Sequence, residues 1–125
     1  MTSRMPSVDG IDVVQRFHLA LNARDLEGML ACLTDDTVFE NTHPAPDGTR
    51  YAGRGAVGSF WEEFLEASTA LRIEAEEVFA AGDRCVMRWT YTWVDADGIQ
   101  GRIRGVDVYR LRGGLIAEKL SYVKG

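Results

Sequence analysis

Two carboxylates stand in stretches that otherwise read as buried β-strands. Glu40 lies in Thr37-Val38-Phe39-Glu40-Asn41, and Asp107 in Arg104-Gly105-Val106-Asp107-Val108-Tyr109-Arg110. A carboxylate on an apolar face is costly unless it is paired, hydrogen-bonded or protonated. Chains keep such groups where chemistry or binding needs them. Two of them, far apart in sequence, point to a pocket holding an acid–base pair.

Alternation gives Asp107 a side. Ile103, Gly105, Asp107, Tyr109 and Leu111 share one strand face, and Arg102, Arg104, Val106, Val108 and Arg110 share the other. The first face is the more apolar, so Asp107 is expected to point toward covering helices. Burial there disfavours the charged form, and a neutral Asp can donate a hydrogen bond to a ligand oxygen. The alternative is a structural Asp held by a buried donor. Glu40 shares its face with Val38, while Thr37, Phe39 and Asn41 take the other. That strand is too short for its pattern to say which face is inward.

His43 follows Glu40 by three residues and is a candidate auxiliary acid–base group. Glu40 and His43 alone do not complete a metal site, which needs three or four ligands. No metal and no cofactor are therefore expected. His18 falls on an apolar helix stripe and reads as a packed, hydrogen-bonded core residue. Trp89, Tyr91 and Trp93 share a strand face with Cys85 and Met87. They form either core or dimer-face packing or the wall of a pocket for a flat hydrophobic ligand.

The elements that must position these groups follow from periodicity. Residues 1–8 read as a loose tail, and 9–125 as a single domain. Asp9 can cap a helix carrying Ile11, Val14, Phe17, His18 and Leu21, and Asp25 can cap a second with Leu26, Met29, Leu30 and Leu33. A short strand spans Thr37 to Asn41. Thr42 to Gly55, with two prolines and three glycines, reads as a loop. The third helix carries Val57, Phe60, Trp61, Phe64 and Leu65 at i, i+3, i+4, i+7 and i+8. From Leu71 onward the period changes to two. Long antiparallel strands, turning at Gly82-Asp83, Asp97-Gly98 and Gly113-Gly114, make a curved meander. The expected class is α+β, with helices packed on one face of the sheet.

The chain has 125 residues and a formal net charge of −5, which disfavours binding to nucleic acid or to an anionic membrane. No apolar run approaches the ~20 residues of a membrane span. The first residues lack the apolar stretch of a signal peptide, so a cytoplasmic location is expected. Cys32 and Cys85 form no motif and are expected to be free and buried.

The run Val13-Val14-Gln15-Arg16-Phe17 through Leu21-Asn22-Ala23-Arg24-Asp25-Leu26-Glu27-Gly28 to Asp35-Asp36-Thr37-Val38 resembles the opening of bacterial ketosteroid isomerases. Gly105-Val106-Asp107-Val108-Tyr109-Arg110 to Gly114-Leu115-Ile116-Ala117-Glu118 resembles the closing motif of their wider superfamily, which includes SnoaL-like polyketide cyclases and nuclear-transport-factor-two-like proteins. The resemblance implies a cone-shaped, mostly antiparallel sheet wrapped by three helices, the cystatin-like α+β barrel. It also implies an internal pocket for a small apolar ligand, and often a homodimer.

By position, the resemblance makes Glu40 the general base and Asp107 the neutral hydrogen-bond donor. The family's tyrosine donor falls on Phe17, which cannot donate, and a second tyrosine falls on Trp61. Phe17, Trp61, Trp89, Tyr91 and Tyr109 would then line the pocket. The implied activity is isomerase- or cyclase-like proton transfer on a small, largely apolar carbonyl compound. A non-catalytic ligand-binding or dimerisation module of the same fold is the alternative. The fold's epoxide-hydrolase branch, with two Asp and an Arg, fits poorly, because Thr90 and Ser121 stand where its carboxylates would be.

Overall fold

The structure, a computed structural model, describes residues 6–124. The expected tail falls partly outside them: residues 1–5 are not described, and residues 6–8 already belong to a helix. Helix α1 runs Pro6–Asn22, α2 Leu26–Leu30 and α3 Arg54–Ala67. The strands are β1 Leu33–Glu40, β2 Arg50–Ala52, β3 Thr69–Ala81, β4 Arg84–Val94, β5 Gln100–Arg112 and β6 Leu115–Val123. The class is α+β, a curved six-stranded sheet with helices on one face.

Helix α1 starts at Pro6 rather than after Asp9. Proline suits the first helical turn, where its missing N–H has no partner to lose. Asp25 does cap α2, accepting from the Gly28 N–H at 3.0 Å. Helix α2 stops at Leu30, so Leu33 opens β1 instead of extending the stripe. Thr34, Asp35 and Asp36 follow it in the same strand, which therefore begins four residues before the expected Thr37.

The sheet order is β2-β1-β6-β5-β4-β3. Strands β3 to β6 form the expected meander, and two-residue turns join β3 to β4 and β5 to β6. Gly113 and Gly114 close the second turn with φ of 60° and 78°, values that L side chains adopt only with strain. Two pairings depart from the periodicity reading. β1 runs parallel to β6, with Phe39 opposite Lys119. The expected loop also contains β2, which pairs antiparallel with β1. Three residues with no alternation signal are too few to recognise, and the neighbouring strand decides their state.

One face of the sheet buries Cys85, Met87 and Trp89 on β4, Asp107 and Tyr109 on β5, and Ala117 and Lys119 on β6. A bulge at Glu76 adds a residue to β3 between the Ala75–Trp89 and Glu77–Arg88 pairs. The extra residue lets Val78 and Ala80 pack on the core. The helices cover this face with Val13, Val14, Phe17 and Leu21 of α1 and Val57, Trp61 and Leu65 of α3. Each such side chain contributes about 1.5–3 kcal/mol of apolar burial. Asn22 ties α1 to β3 by donating to the Ile73 carbonyl and accepting from the Ile73 N–H, both at 2.8 Å.

The outer face carries the charges. Arg104 makes a bidentate contact with Glu76 at 2.9 and 3.2 Å, and Thr90 also donates to Glu76. Arg110 pairs with Glu118 at 3.7 Å. No helix among the described residues is long and apolar enough to cross a membrane. Cys32 and Cys85 are free and buried.

Candidate active site

A cavity of about 320 Å³ opens between the helices and the inner sheet face. Its walls are mainly aromatic: Phe39 from β1, Phe60, Trp61 and Phe64 from α3, and Trp89 and Tyr91 from β4. Trp61 stacks on Phe39 at a centroid distance of 5.3 Å and meets Phe64 edge-on at 5.3 Å. Such rings resist collapse, so the space between them persists as a slot for a flat apolar molecule. Alternation on β4 left the direction of Trp89 and Tyr91 undecided. The register resolves it, since Met87 sits opposite Asp107 on the covered face.

The polar groups of the cavity converge at one end. Asp107 is 2 % exposed. Its Oδ1 accepts from Ser121 Oγ at 2.7 Å, and its Oδ2 accepts from Tyr109 Oη at 3.0 Å. Lys119 Nζ stands 3.4 Å from Oδ2 and donates to Ser121 Oγ at 2.9 Å. Antiparallel pairing assembles the cluster, setting Asp107 opposite Ser121 and Tyr109 opposite Lys119. His18 joins from α1, with Nε2 2.6 Å from Tyr109 Oη. The single Tyr109 proton goes to Asp107, so His18 Nε2 must carry the proton of that contact. The relay is thus His18 to Tyr109 to Asp107, and His18 Nδ1 is left as a bare acceptor.

Burial sets the charge states around Asp107. It pushes the His18 imidazole down to about 4, against the opposing pull of Asp107 and with a smaller push from Lys119. His18 is therefore neutral near pH 7. Burial also lowers Lys119, with Asp107 opposing, and raises the Tyr109 phenol well above its ordinary value. The Lys119 ammonium rests over the Phe39 ring at 4.2 Å and over Trp61 at 5.4 Å. Two buried polar atoms have no hydrogen-bond partner among the described residues, His18 Nδ1 and Trp89 Nε1, and both residues line the cavity.

The structure brings together only part of the expected set. Asp107, His43, Trp61, Trp89 and Tyr91 line the cavity, His43 from an exposed position in the loop after β1. Glu40 does not. Strand period two turns Phe39 inward and Glu40 to the opposite face, where it is paired with Arg50 at 3.1 Å and 35 % exposed. It cannot serve as the base of this cavity. Phe17 is fully buried behind the wall, edge-on to His18 and Trp61 at 5.6 and 5.8 Å. Tyr109 also lies behind the wall and acts through Asp107 and His18. Asp107 itself receives hydrogen bonds from Tyr109 and Ser121.

Three members were missed. His18 was read as core packing alone, yet it is both buried and at the cavity wall. Lys119 was not singled out and Ser121 was weighed only as standing in place of an epoxide-hydrolase carboxylate, although a lysine amid the apolar residues of Leu115–Val123 is the same signal that marked Asp107. Arg88 and Thr90 face outward onto Glu76, away from this cavity. Among the described residues, no group of three or more His, Cys, Asp or Glu is arranged to hold a metal ion.

The SnoaL-like domain family matches residues 14–119. A nuclear-transport-factor-two-like protein of unknown function from Mesorhizobium loti is 35 % identical, with 99 % of this chain and 98 % of that one covered and a TM-score of 0.83. A Mycobacterium tuberculosis protein solved in complex with estradiol-17beta-hemisuccinate is 28 % identical over 91 % of this chain and 92 % of that one, with a TM-score of 0.79. A putative polyketide cyclase from Xanthomonas campestris shares the fold at 22 % identity and a TM-score of 0.80, over 96 % and 93 % of the two chains. A matched span that takes in the second half of α1, the aromatic α3 and the Asp107 strand places this chain in the SnoaL-like domain family of the nuclear-transport-factor-two-like superfamily.

Proposed function

We propose that the protein binds a small, largely apolar carbonyl compound in the aromatic cavity and transfers a proton at the carbon next to the carbonyl. The observation that carries this reading is the placement of a buried proton acceptor, Asp107, beside two donors, Ser121 Oγ and Lys119 Nζ, at the polar end of an otherwise aromatic slot. A carbonyl oxygen directed at the Lys119 ammonium, which has a third proton beyond those facing Asp107 and Ser121, would have its developing negative charge stabilised as the enolate forms. Asp107 is the base, and the His18–Tyr109 relay holds its orientation. His43 at the rim is the auxiliary group. The steroid ester bound by the Mycobacterium tuberculosis relative supports a flat, apolar ligand class.

One observation favours the non-catalytic reading. Asp107 is already satisfied by Tyr109, Ser121 and Lys119, as in a polar network that only specifies a core. The two readings separate in one experiment, with 2-tetralone as ligand in heavy water and its α-proton exchange followed by NMR. Exchange above buffer that is lost in Asp107→Asn is the expected result. Saturable binding without exchange establishes the binding module instead.

A homodimer through the outer sheet face is part of the same proposal. Val86, Val108 and Leu120 lie there in one register row, beside Val106 paired with Tyr122, which is 52 % exposed. Sedimentation velocity of wild type against Tyr122→Glu tests it.

A further inference from the structure

The cavity holds a nucleophile that the proton-transfer reading uses only as a hydrogen-bond donor. Lys119 Nζ projects from β6 into the apolar slot, with Phe39 and Trp61 against it and with Asp107 and Ser121 as its polar partners among the described residues. A structural ion pair would be served equally well by a site sealed from the cavity. This one shares its wall with a space that fits a two-ring ligand.

We propose that Lys119 forms a covalent Schiff base with the carbonyl compound the cavity binds, an aldehyde or ketone of aromatic or alicyclic type. This inference rests on the proposed ligand class and deepens it.

The step balances within the site. The Lys119 ammonium gives one proton to Asp107, 3.4 Å away, and its lone pair attacks the carbonyl carbon. The C–N bond forms as the C=O π pair moves to oxygen, which takes up a proton from nitrogen to give a carbinolamine. Asp107 returns its proton to that hydroxyl, which leaves as water, and the nitrogen lone pair closes the C=N bond. Ammonium plus carbonyl becomes iminium plus water, with charge conserved and no oxidant or reductant required. The iminium inherits the ion pair with Asp107. Desolvation of the amine by its apolar surroundings favours the neutral nucleophile, the usual device for activating a lysine. An iminium is also a stronger electron sink than a hydrogen-bonded carbonyl, so the same Asp107 would then remove the neighbouring proton more readily.

The chain makes the test clean, because Lys119 and Lys124 are its only lysines. The full-length protein is incubated at pH 7 with 6-methoxy-2-naphthaldehyde and sodium cyanoborohydride, which reduces an iminium to a stable amine. The adduct, heavier by the aldehyde mass less one oxygen, is mapped by tandem mass spectrometry. Labelling is expected on Lys119 at a rate at least roughly tenfold above that on Lys124, as a desolvated amine allows. The corresponding alcohol, which binds without reacting, should protect Lys119 and leave Lys124 unchanged. In Lys119→Arg the labelling should fall to that of Lys124 and the N-terminus. The protection arm needs only wild-type protein, so a misfolded variant does not blunt the test. Labelling confined to Lys124 and the N-terminus, with the alcohol bound, overturns the Schiff base and leaves the proposed function standing. No binding of the alcohol overturns both.

Discussion

Acidifying the protein from pH 7 to pH 5 is expected to cost about 2 kcal/mol of folding stability through His18 alone. The folded chain holds this imidazole at about 4, against 6.5 for an ordinary histidine. Between those two values the unfolded chain binds the His18 proton and the folded chain does not. Stability therefore rises with pH across the window and falls as the solution is acidified. At pH 5 the unfolded group is about 1.5 units below its own value, and each unit is worth about 1.36 kcal/mol. The loss approaches a plateau of about 3 kcal/mol below the folded value. The charged groups facing His18 are the Asp107 carboxylate at 3.9 Å, which softens the effect, and Lys119, which adds to it. The window avoids other strong titrations. Asp36 and Glu76, held down to about 2 by Arg112 and Arg104, lose their stabilisation only as pH falls from the ordinary carboxylate range toward that value. Urea unfolding at pH 7, 6 and 5 measures the change, and His18→Gln isolates it, since any other group keeps its slope in the variant. A flat wild-type profile, or an equal slope in His18→Gln, would refute the neutral buried imidazole and with it the direction of the relay.

Two further outcomes follow from the same cluster and its supporting sheet. Lys119→Met strands the buried Asp107 carboxylate and is expected to cost about 3–5 kcal/mol in urea unfolding at pH 7, with a substantial part recovered when Asp107→Asn is added. Full additivity of the two changes would mean the pair is not coupled. Gly105→Ala is expected to cost roughly 1–3 kcal/mol, because a methyl there strikes the Tyr122 carbonyl oxygen and the Trp89 indole. An unchanged unfolding midpoint for that variant would show that Trp89 is free to move, and so would place the cavity wall in doubt.

The inner face of the meander was legible because long strands average out errors. Thirteen residues of β5 alternate long enough to put Asp107 on the covered side, and eleven of β4 group Trp89 with Cys85 and Met87, although which side of β4 is covered came from the register. The stripe of α3 was equally clear, and the resemblance in Gly105 to Glu118 led to the right superfamily. The start of the chain was less legible. Asp9 looked like a cap, but Pro6 can occupy a first helical turn without losing a hydrogen bond. β2 and the parallel pairing of β1 with β6 depend on neighbours distant in sequence, which no local pattern reports.

Half of the candidate site was legible in the same sense. Asp107 was found because a charge in an apolar strand has few innocent explanations. Glu40 gave the same signal and proved to be an outward, Arg50-paired side chain, since a five-residue pattern leaves its two faces equivalent. Ser121 and His18 look unremarkable alone and Lys119 carries only the signal of a charge in an apolar strand; their meaning comes from being within 4 Å of Asp107 or one contact from it.

The sequence by itself determined the α+β class and which residues share each long strand's face, because these rest on periodicities of two and 3.6 that each segment carries internally, while the superfamily came from the resemblance of its motifs. Only the tertiary structure decided which groups surround Asp107. Strand register and helix docking set the distances among residues 18, 107, 109, 119 and 121, and those distances decide that His18 is neutral, that Tyr109 is a donor and that Lys119 faces an aromatic slot. Hydrogen bonding and desolvation act over a few ångströms between segments some ninety residues apart, and no local stretch of chain contains that information.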